Sequence, residues 1–268
     1  MSPSPLTRPT SYKHFVSAPE GCNVEFPLWE AEYERILAEL SLTRESDEKA
    51  AEVLARLFEH RVWREARLKE LIGGRDVVVV GGAPGPSPFP LPKGEWTVIA
   101  ADGATSTCLA SGVVPTLIAT DLDGYMPDEI RANARGGFVL VHAHGDNIEA
   151  LKTWVPRFTG EIGGSVAAAP RPGLINYGGF TDGDRAVYLA EACGAKRVLL
   201  ARFDFHRVSE KDGKRKLQKL KVAERVIDQV VRRGALPVFM LTDTGMQEWS
   251  LAKERTTRLP GRRSRTTG

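Results

Sequence analysis

The stretch PTLIATDLDG, residues 115–124, decides how the fold of this chain is interpreted. Its first half is an apolar run typical of a buried parallel strand, and two carboxylates, Asp121 and Asp123, follow that run directly. Open α/β sheets bind their ligands beyond the carboxyl ends of the strands. An Asp-x-Asp pair in this position offers the hard oxygen ligands that Mg²⁺ prefers. The same residues are also common in solvated turns, so the motif needs support from the rest of the chain.

Short apolar runs alternate with segments of helical period on both sides of this stretch. The apolar runs predict strands at residues 76–80, 96–101, 115–119, 138–141, 174–177, 197–201 and 236–241. The helical spacing predicts helices at residues 27–40, 47–72, 105–111, 127–134, 148–155, 186–193 and 217–233. We therefore expect an α/β fold with a mostly parallel sheet, helices on both faces, and a small helical N-terminal region before it.

The pattern also predicts how the chain is divided. Residues 1–74 would form an N-terminal arm and helices, residues 75–250 the main α/β domain, and residues 251–268 a basic flexible tail. A content of 42% hydrophobic and 26% charged residues is typical of a soluble globular protein. The chain has no apolar run of about 20 residues and no apolar N-terminal segment. We therefore expect a cytoplasmic protein with no membrane span.

Charge and cysteine content limit the classes of partner. The formal net charge is only +3, which is too small to indicate nucleic acid as the main partner. Basic residues do cluster at 211–221, 232–233 and 255–265. A solvated surface is the favoured interpretation of these clusters, and contact with RNA is the alternative. The three cysteines are scattered along the chain, so neither a zinc site nor a disulfide framework is indicated.

Three more segments with chemically active residues follow predicted strands. The segment GGAPGPS, residues 81–87, is a glycine-rich turn that would let the backbone approach a phosphate group. A plain tight connection is the rival interpretation of that turn. In HAHGDN, residues 142–147, a histidine could act as a ligand, a base or a phosphate donor. The segment GGFTDGDR, residues 178–185, adds two carboxylates and an arginine.

Aspartates thus recur just past the ends of the predicted strands, at Asp102, Asp121, Asp123, Asp146, Asp182 and Asp184. Like charges that share one small cleft raise one another's pKa, and a divalent metal ion is the usual compensation. A metal ion beside a glycine-rich turn indicates a nucleoside di- or triphosphate as ligand. We therefore expect phosphoryl-transfer chemistry, which needs chiefly positioning and charge neutralisation from the protein.

Taken in order, these segments resemble the archaeal 6-hydroxymethyl-7,8-dihydropterin pyrophosphokinases of the MptE type, which are relatives of the thiamine pyrophosphokinase catalytic domain. The resemblance covers about residues 75–245, counted by the span of its motifs. It is carried by Gly85–Ser87, Ala101–Ala104, Thr120–Gly124, His142–Asn147 and Gly178–Arg185. It implies a fold like the thiamine pyrophosphokinase catalytic domain.

The resemblance also implies an activity and its residues. Pyrophosphate would pass from ATP to the hydroxymethyl oxygen of a pterin, with Mg²⁺ as cofactor and AMP as leaving product. The metal ligands would be Asp121, Asp123 and Asp146, and the catalytic residues Asp121, Asp123, Arg185 and the candidate base His144. The nucleotide would contact Gly82, Gly85, Ser87, Asp102, Gly103 and Asn147, and the pterin Phe180, Thr181, Asp182 and Asp184.

Some further expectations accompany this assignment. Lys152 and Arg202 are additional candidates for neutralising phosphate, and Tyr177 is an alternative to Phe180 as the aromatic contact of the pterin. The partners would be ATP and a pterin, with no membrane, no main role for nucleic acid, and a homodimer as an option. The product would enter synthesis of tetrahydromethanopterin or a folate-type pterin.

Two alternatives remain open. The first is thiamine pyrophosphokinase itself, with the same transfer to another hydroxymethyl heterocycle. Against it, HAHGDN replaces the Asp-Lys-Asp-x-Thr-Asp pattern of that family, and only about 25 residues follow the last predicted strand, which leaves no room for a C-terminal β-sandwich. The second is a nucleotide-binding module without catalysis, in which the basic helix at residues 214–233 holds RNA or another partner.

Overall fold

The structure is a computed structural model that describes residues 26–86, 88–208 and 213–251. The predicted arm before residue 26, the nucleotide contact Ser87 and the basic tail beyond residue 251 lie outside these residues. The arm and the tail therefore stay predictions.

The described residues form one nine-stranded sheet with the strand order β6-β5-β4-β3-β2-β1-β7-β8-β9. The strands are β1 (Asp76–Val80), β2 (Thr97–Ala101), β3 (Leu117–Thr120), β4 (Phe138–Ala143), β5 (Ile162–Val166), β6 (Leu174–Ile175), β7 (Arg197–Ala201), β8 (Val238–Thr242) and β9 (Gly245–Glu248). Neighbouring strands pair in parallel except for β8 and β9, which are antiparallel. The predicted mostly parallel α/β sheet is therefore confirmed.

Helices cover both faces of this sheet. The described helices are α1 (Phe26–Leu40), α2 (Arg44–Phe58), α3 (Ala66–Ile72), α4 (Ala104–Ala110), α5 (Met126–Ala134), α6 (Ile148–Trp154), α7 (Asp182–Ala192) and α8 (Gly213–Arg233). Side chains of a strand alternate between the two faces, and the valines of β1 belong to two different apolar clusters. Helices α1, α3, α7 and α8 pack on one face, whereas α2, α4, α5 and α6 pack on the other.

The single helix predicted over residues 47–72 is wrong, because the structure divides this segment into α2 and α3. Leu54 and Phe58 of α2 pack on one face of the sheet, and Leu68 and Ile72 of α3 pack on the other. The chain must pass around the edge of the sheet between them, which no continuous helix can do. The N-terminal cap of α2 is Thr43, whose side chain accepts a hydrogen bond from the N–H of Ser46.

The sequence pattern did not predict two of the strands, β5 and β9. Strand β5 is buried along its whole length, but two of its five residues are glycines, which weaken the strand signal. A side chain at Gly163 would come within 3.0 Å of ring carbons of Phe138 and Trp63, so this close packing needs a residue without Cβ. Strand β9 is a short antiparallel edge strand with mostly exposed residues, and it carries no apolar run.

The N-terminal helices are built into the same hydrophobic clusters as the sheet. Trp29 and Ile36 of α1 belong to the cluster formed by α7 and α8, and Leu54 of α2 belongs to the cluster on the opposite face. The predicted boundary near residue 74 stays a prediction. None of the described helices combines the length and the apolar character that a membrane crossing requires.

Candidate active site

A cleft of about 870 Å³ opens at the carboxyl edge of the central strands. The turns that follow β1, β2, β3, β4 and β7 form its floor, at Gly81–Pro84, Ala101–Ala104, Asp121 with Asp123, His144–Asp146 and Arg202–Asp204. Helices α1 and α2 supply one wall, and the starts of α7 and α8 supply others. This is the position at which parallel α/β sheets bind ligands.

Three carboxylates meet at the centre of the floor. Asp102, Asp121 and Asp123 each offer an oxygen, and these oxygens lie within 4.8 Å of one another. Thr120 holds the group together, because its Oγ1 donates a hydrogen bond to Asp102 Oδ1 (2.8 Å) and accepts one from the N–H of Leu122 (2.9 Å). Leu122 and Asp102 adopt left-handed backbone conformations, with φ of 71° and 45°. Such conformations are costly for these residue types and concentrate at functional sites.

The electrostatics of this group favour a bound cation. Partial removal from water, together with the charges of Asp121 and Asp102, raises the pKa of Asp123 to about 7. Burial has the largest single effect on Asp121 and acts to raise its pKa, but the hydrogen bonds from His144 and the N–H of Asp123 together with nearby positive charge outweigh it, and the resulting pKa is below the ordinary value. Oxygen donors in this number and spacing are the chemistry that a hard divalent cation requires.

Asp146, the third predicted metal ligand, is not part of this group. It is exposed on the turn after β4, although it does line the cleft. Within the described part of the chain, Asp102 stands where the sequence interpretation put Asp146. The metal set Asp121, Asp123 and Asp146 stays a prediction, and the geometry offers Asp102, Asp121 and Asp123 instead.

His144 contacts Asp121 through a ring nitrogen. Its Nε2 lies 3.2 Å from Asp121 Oδ2, and the backbone N–H of Asp146 donates to its Nδ1 at 3.3 Å. With Nδ1 accepting a hydrogen bond, Nε2 carries the proton and donates it to the carboxylate. Because both nitrogens are engaged, this geometry favours a role in holding Asp121 over the predicted role as a base.

Two other polar residues, His142 at the end of β4 and Asn147 after the turn, are buried and hold the turn in its conformation. Asn147 Nδ2 donates to the carbonyl oxygens of Asp121 (2.8 Å) and His142 (2.7 Å), and its Oδ1 accepts from His144 N (3.1 Å). Asn147 therefore ties β3 to β4, and it is not among the residues that line the cleft. His142 pairs with Ser165 Oγ at 3.0 Å, and burial holds its pKa well below the ordinary value, so it is neutral.

The start of α7 separates the predicted pterin contacts into two groups. Phe180, Thr181 and Asp182 line the cleft, whereas Asp184 is fully buried. Asp184 accepts hydrogen bonds from the N–H of Phe180, from the N–H of Thr181 (3.0 Å) and from Thr181 Oγ1 (2.7 Å). It completes a capping box with Thr181, which leaves it directed at the backbone rather than at the cleft.

Asp182 and Arg185 bring an acidic and a basic side chain to the same wall. Burial, with the charges of Asp121 and Asp102, raises the pKa of Asp182 well above the ordinary value. Arg185 is only 6% exposed, and its Nη2 donates to the carbonyl oxygen of Phe180 at 3.1 Å. Its Nε is buried without a hydrogen-bond partner among the described residues. A buried N–H of this kind is costly unless a ligand accepts from it.

The glycine-rich turn after β1 is held by the end of β7. The N–H of Ala83 donates to the carbonyl oxygen of Arg202 (3.0 Å), and Arg202 Nη1 donates to that of Pro86 (3.0 Å). Gly82 and Gly103 line the cleft as predicted, but Gly85 does not.

Two alternative candidates lie away from the cleft lining. Lys152 pairs with Glu149 at 2.7 Å on an exposed face of α6. Tyr177 is nearly buried, and its hydroxyl donates to Glu65. Neither residue is among those that line the cleft. Arg202 is therefore better placed than Lys152 to neutralise phosphate, and Phe180 is better placed than Tyr177 to contact a pterin ring.

The N-terminal helices reach the site, which the sequence analysis did not predict. Trp29 and Tyr33 of α1 line the cleft, and Tyr33 Oη donates to Asp47 Oδ2 at 2.7 Å. Asp47 Oδ1 accepts from the N–H of Gly145 at 2.8 Å. A side chain on Gly145 would collide with Ser46, so α2 rests directly on the turn that carries His144. The helical stripe of α1 predicts core packing equally well, so no local pattern in the sequence distinguishes a helix that also lines the cleft.

The fold and the site together define a class: an α/β protein with a central parallel sheet and an acidic cleft suited to a metal-bound phosphorylated ligand. The family description "6-hydroxymethylpterin diphosphokinase MptE-like" matches residues 57–209. This chain belongs to that family, which confirms the resemblance carried by its motifs.

Three archaeal relatives carry the name 6-hydroxymethyl-7,8-dihydropterin pyrophosphokinase. The protein of Methanothermobacter thermautotrophicus is 39% identical over 228 residues, which cover 79% of this chain and 97% of that relative. The Pyrococcus furiosus protein is 37% identical over 223 residues, covering 77% and 94%. The Methanocaldococcus jannaschii protein is 32% identical over 189 residues, covering 66% and 78%.

Proposed function

We propose that this protein is a 6-hydroxymethyl-7,8-dihydropterin pyrophosphokinase that uses Mg-ATP and releases AMP. The relatives' names support the substrate and the transferred group. The observation that carries the chemistry is the group Asp102, Asp121 and Asp123, set in a cleft with room for two substrates. In the reaction, the hydroxymethyl oxygen forms a bond to the β-phosphorus of ATP and gives up its proton to solvent. The bond from that phosphorus to the oxygen that bridges it to the α-phosphorus breaks, and AMP leaves with that oxygen.

Asp102, Asp121 and Asp123 are the residues that would hold Mg²⁺. When bound, the ion neutralises charge on the transferring phosphates and orients them. His144 keeps Asp121 in place through its 3.2 Å contact, and Thr120 keeps Asp102 in place through its 2.8 Å hydrogen bond. These residues act by positioning, which is the main protein contribution to phosphoryl transfer.

Two walls of the cleft would divide the substrates. The backbone of the glycine-rich turn and Arg185 suit the phosphates of the nucleotide, because N–H groups and a guanidinium bind phosphate oxygens. Phe180 and Trp29 supply aromatic surface for a planar ring. Asp182 supplies a carboxyl group for the donor–acceptor edge of the pterin.

An AMP-release assay tests the proposal. The protein receives Mg-ATP with 6-hydroxymethyl-7,8-dihydropterin in one reaction and with thiamine in a parallel one, and a third reaction contains a chelator. We expect AMP with the pterin alone and none with the chelator. AMP with thiamine alone would move the activity to the related enzyme. No AMP with either acceptor, in Mg²⁺ or another divalent metal, would leave only a binding role for the cleft.

The cellular setting forms part of the same proposal. The product would enter tetrahydromethanopterin or folate-type synthesis in the cytoplasm. A homodimer stays a prediction.

A further inference from the structure

Helix α8 covers the sheet with one half and extends over the cleft with the other. Its amino-terminal half contributes four residues to the cleft lining, Arg215, Lys216, Lys219 and Leu220. Farther along, Ala223 and Val226 are buried against the sheet. Arg215, Lys219, Ala223 and Val226 fall on one helical face, because residues three and four apart are neighbours on a helix. That face is apolar over the sheet and basic over the cleft.

Lys219 lines the same cleft as the carboxylates of Asp121 and Asp123. In the part of the chain that the structure describes, Lys219 forms no hydrogen bond or ion pair. Its ammonium group therefore lies in the cleft without a hydrogen-bond or ion-pair partner among the described residues.

A second cation faces the same space from another helix. Arg185 of α7 lines the cleft, is nearly buried, and has an Nε with no acceptor among the described residues. This is an independent sign that this part of the cleft binds an anionic group with acceptor oxygens. Basic groups of α7 and α8 thus flank the carboxylates.

We propose that Arg215 and Lys219 of α8 form a polyphosphate-binding wall, which holds the terminal phosphates of a nucleoside triphosphate beside the three carboxylates. The identity of this ligand as ATP rests on the proposed function. Ammonium and guanidinium groups match phosphate oxygens, whereas a neutral pterin needs an aromatic face and a hydrogen-bonding edge. An RNA strand is disfavoured, because the basic side chains line a cleft of about 870 Å³, which suits a nucleotide rather than an extended strand.

Helix α8 also supplies matched controls. Lys214 and Lys221 are exposed lysines of the same helix, and neither lines the cleft. A helix advances 100° per residue, so both lie on the face opposite Lys219. The test compares Lys219→Ala and Arg215→Ala with Lys214→Ala and Lys221→Ala, and it adds Lys219→Arg to restore the charge.

The first measurement is the dissociation constant of inorganic tripolyphosphate in the presence of Mg²⁺ by titration calorimetry, because this probe needs neither pterin nor turnover. We expect Lys219→Ala to weaken binding by about tenfold or more, as befits the loss of a charge-assisted hydrogen bond. Lys214→Ala and Lys221→Ala should stay within about twofold of the wild type, and Lys219→Arg should recover most of the loss. Thermal unfolding confirms that each variant is folded. If Lys219→Ala does not fold, Lys219→Gln replaces it.

The second measurement is the AMP-release assay, which separates the two proposals. Loss of the lysine should raise KM for Mg-ATP and leave KM for the pterin unchanged. If the wild-type protein binds tripolyphosphate through Lys219 but makes no AMP, the proposed function is refuted and the polyphosphate-binding wall is supported. If Lys219→Ala and Lys221→Ala release AMP normally and have equal KM values for Mg-ATP, the polyphosphate-binding wall is refuted and the proposed function is supported. Absence of tripolyphosphate binding by the wild type would also overturn the wall.

Discussion

The turn after β3 and the first turn of α7 each carry two aspartates separated by one residue, Asp121 with Asp123 and Asp182 with Asp184. Asp121 and Asp123 meet Asp102 in the cleft, and their oxygens are close enough to share a cation. The carboxylate oxygens of Asp184 instead accept hydrogen bonds from two backbone N–H groups and one hydroxyl group. Identical spacing therefore leads to a ligand site in one case and a helix cap in the other.

The difference comes from where the nearest donors are. At α7 the unpaired N–H groups of a helix start lie beside the carboxylate, and capping satisfies them. At the end of β3 the neighbouring groups are mainly other carboxylates, and partial removal from water together with their charges raises the pKa of Asp123 to about 7. A carboxylate without enough protein donors is the one that remains free for a ligand.

The strongest test of this comparison is Asp123→Asn. We expect turnover to fall by about a thousandfold, because a ligand of the charge-neutralising ion is lost. Thermal stability in the presence of a chelator should be equal or higher, because repulsion with Asp121 and Asp102 is relieved. The measurements are AMP release and a melting curve, and near-wild-type turnover would contradict the assignment of the acidic group.

Asp184→Ala should give the opposite outcome. We expect the free energy of unfolding to fall by about 2–4 kcal/mol, because a cap is lost and two backbone N–H groups lose their acceptor. Denaturant unfolding measures this change. Asp182→Asn is the matched control in the same turn and should cost little, since the raised pKa of Asp182 already favours its neutral form. Equal stability of Asp184→Ala and the wild type would show that the cap is unimportant.

A third carboxyl group sharpens the contrast. Glu129 of α5 is fully buried, and neither carboxyl oxygen has a hydrogen-bond partner among the described residues. Burial, with the charge of Asp102, raises its pKa from 4.5 to about 9. The folded protein therefore keeps a proton that the unfolded chain releases as pH rises between these values. The contribution of Glu129 to stability is present in acid and is lost as pH rises through this window.

Glu129→Gln removes this dependence, since an amide does not titrate. In the presence of a chelator, we expect the variant to gain stability over the wild type by on the order of 2 kcal/mol between about pH 5 and about pH 8. Denaturant unfolding at the two pH values measures the gain. Glu59→Gln, at an exposed position, should show no such trend. A constant difference between Glu129→Gln and the wild type would refute the buried proton.

The smallest effect is expected at the N-terminal helices that support the His144 turn. Tyr33→Phe removes the 2.7 Å hydrogen bond to Asp47, and we expect it to cost about 1 kcal/mol of stability and only a few-fold in turnover. Tyr125→Phe is the control, because Tyr125 is 63% exposed. If the two variants are equally stable, Asp47 holds the turn without help from Tyr33.

Much of the fold could be predicted because apolar runs and helical periods are local properties. The strands β1, β3, β4 and β7 were predicted close to their observed bounds, and the residues that follow them were expected at one edge of the sheet. The glycine-rich strand β5 could not be predicted, because its burial comes from neighbours that fill the space above its glycines. The break between α2 and α3 could not be predicted either, because both segments have the apolar spacing of an ordinary helix.

The candidate site divides in the same way. By itself the sequence determined which turns carry carboxylates, glycines and histidines, and the order of strands and helices that brings those turns to one edge. Only the tertiary structure decided that Asp102 rather than Asp146 joins Asp121 and Asp123, that Asp184 is a cap, and that α1, α2 and α8 wall the cleft. The physical reason is that a side chain's role depends on the donors, charges and water around it, and those neighbours come from distant parts of the chain.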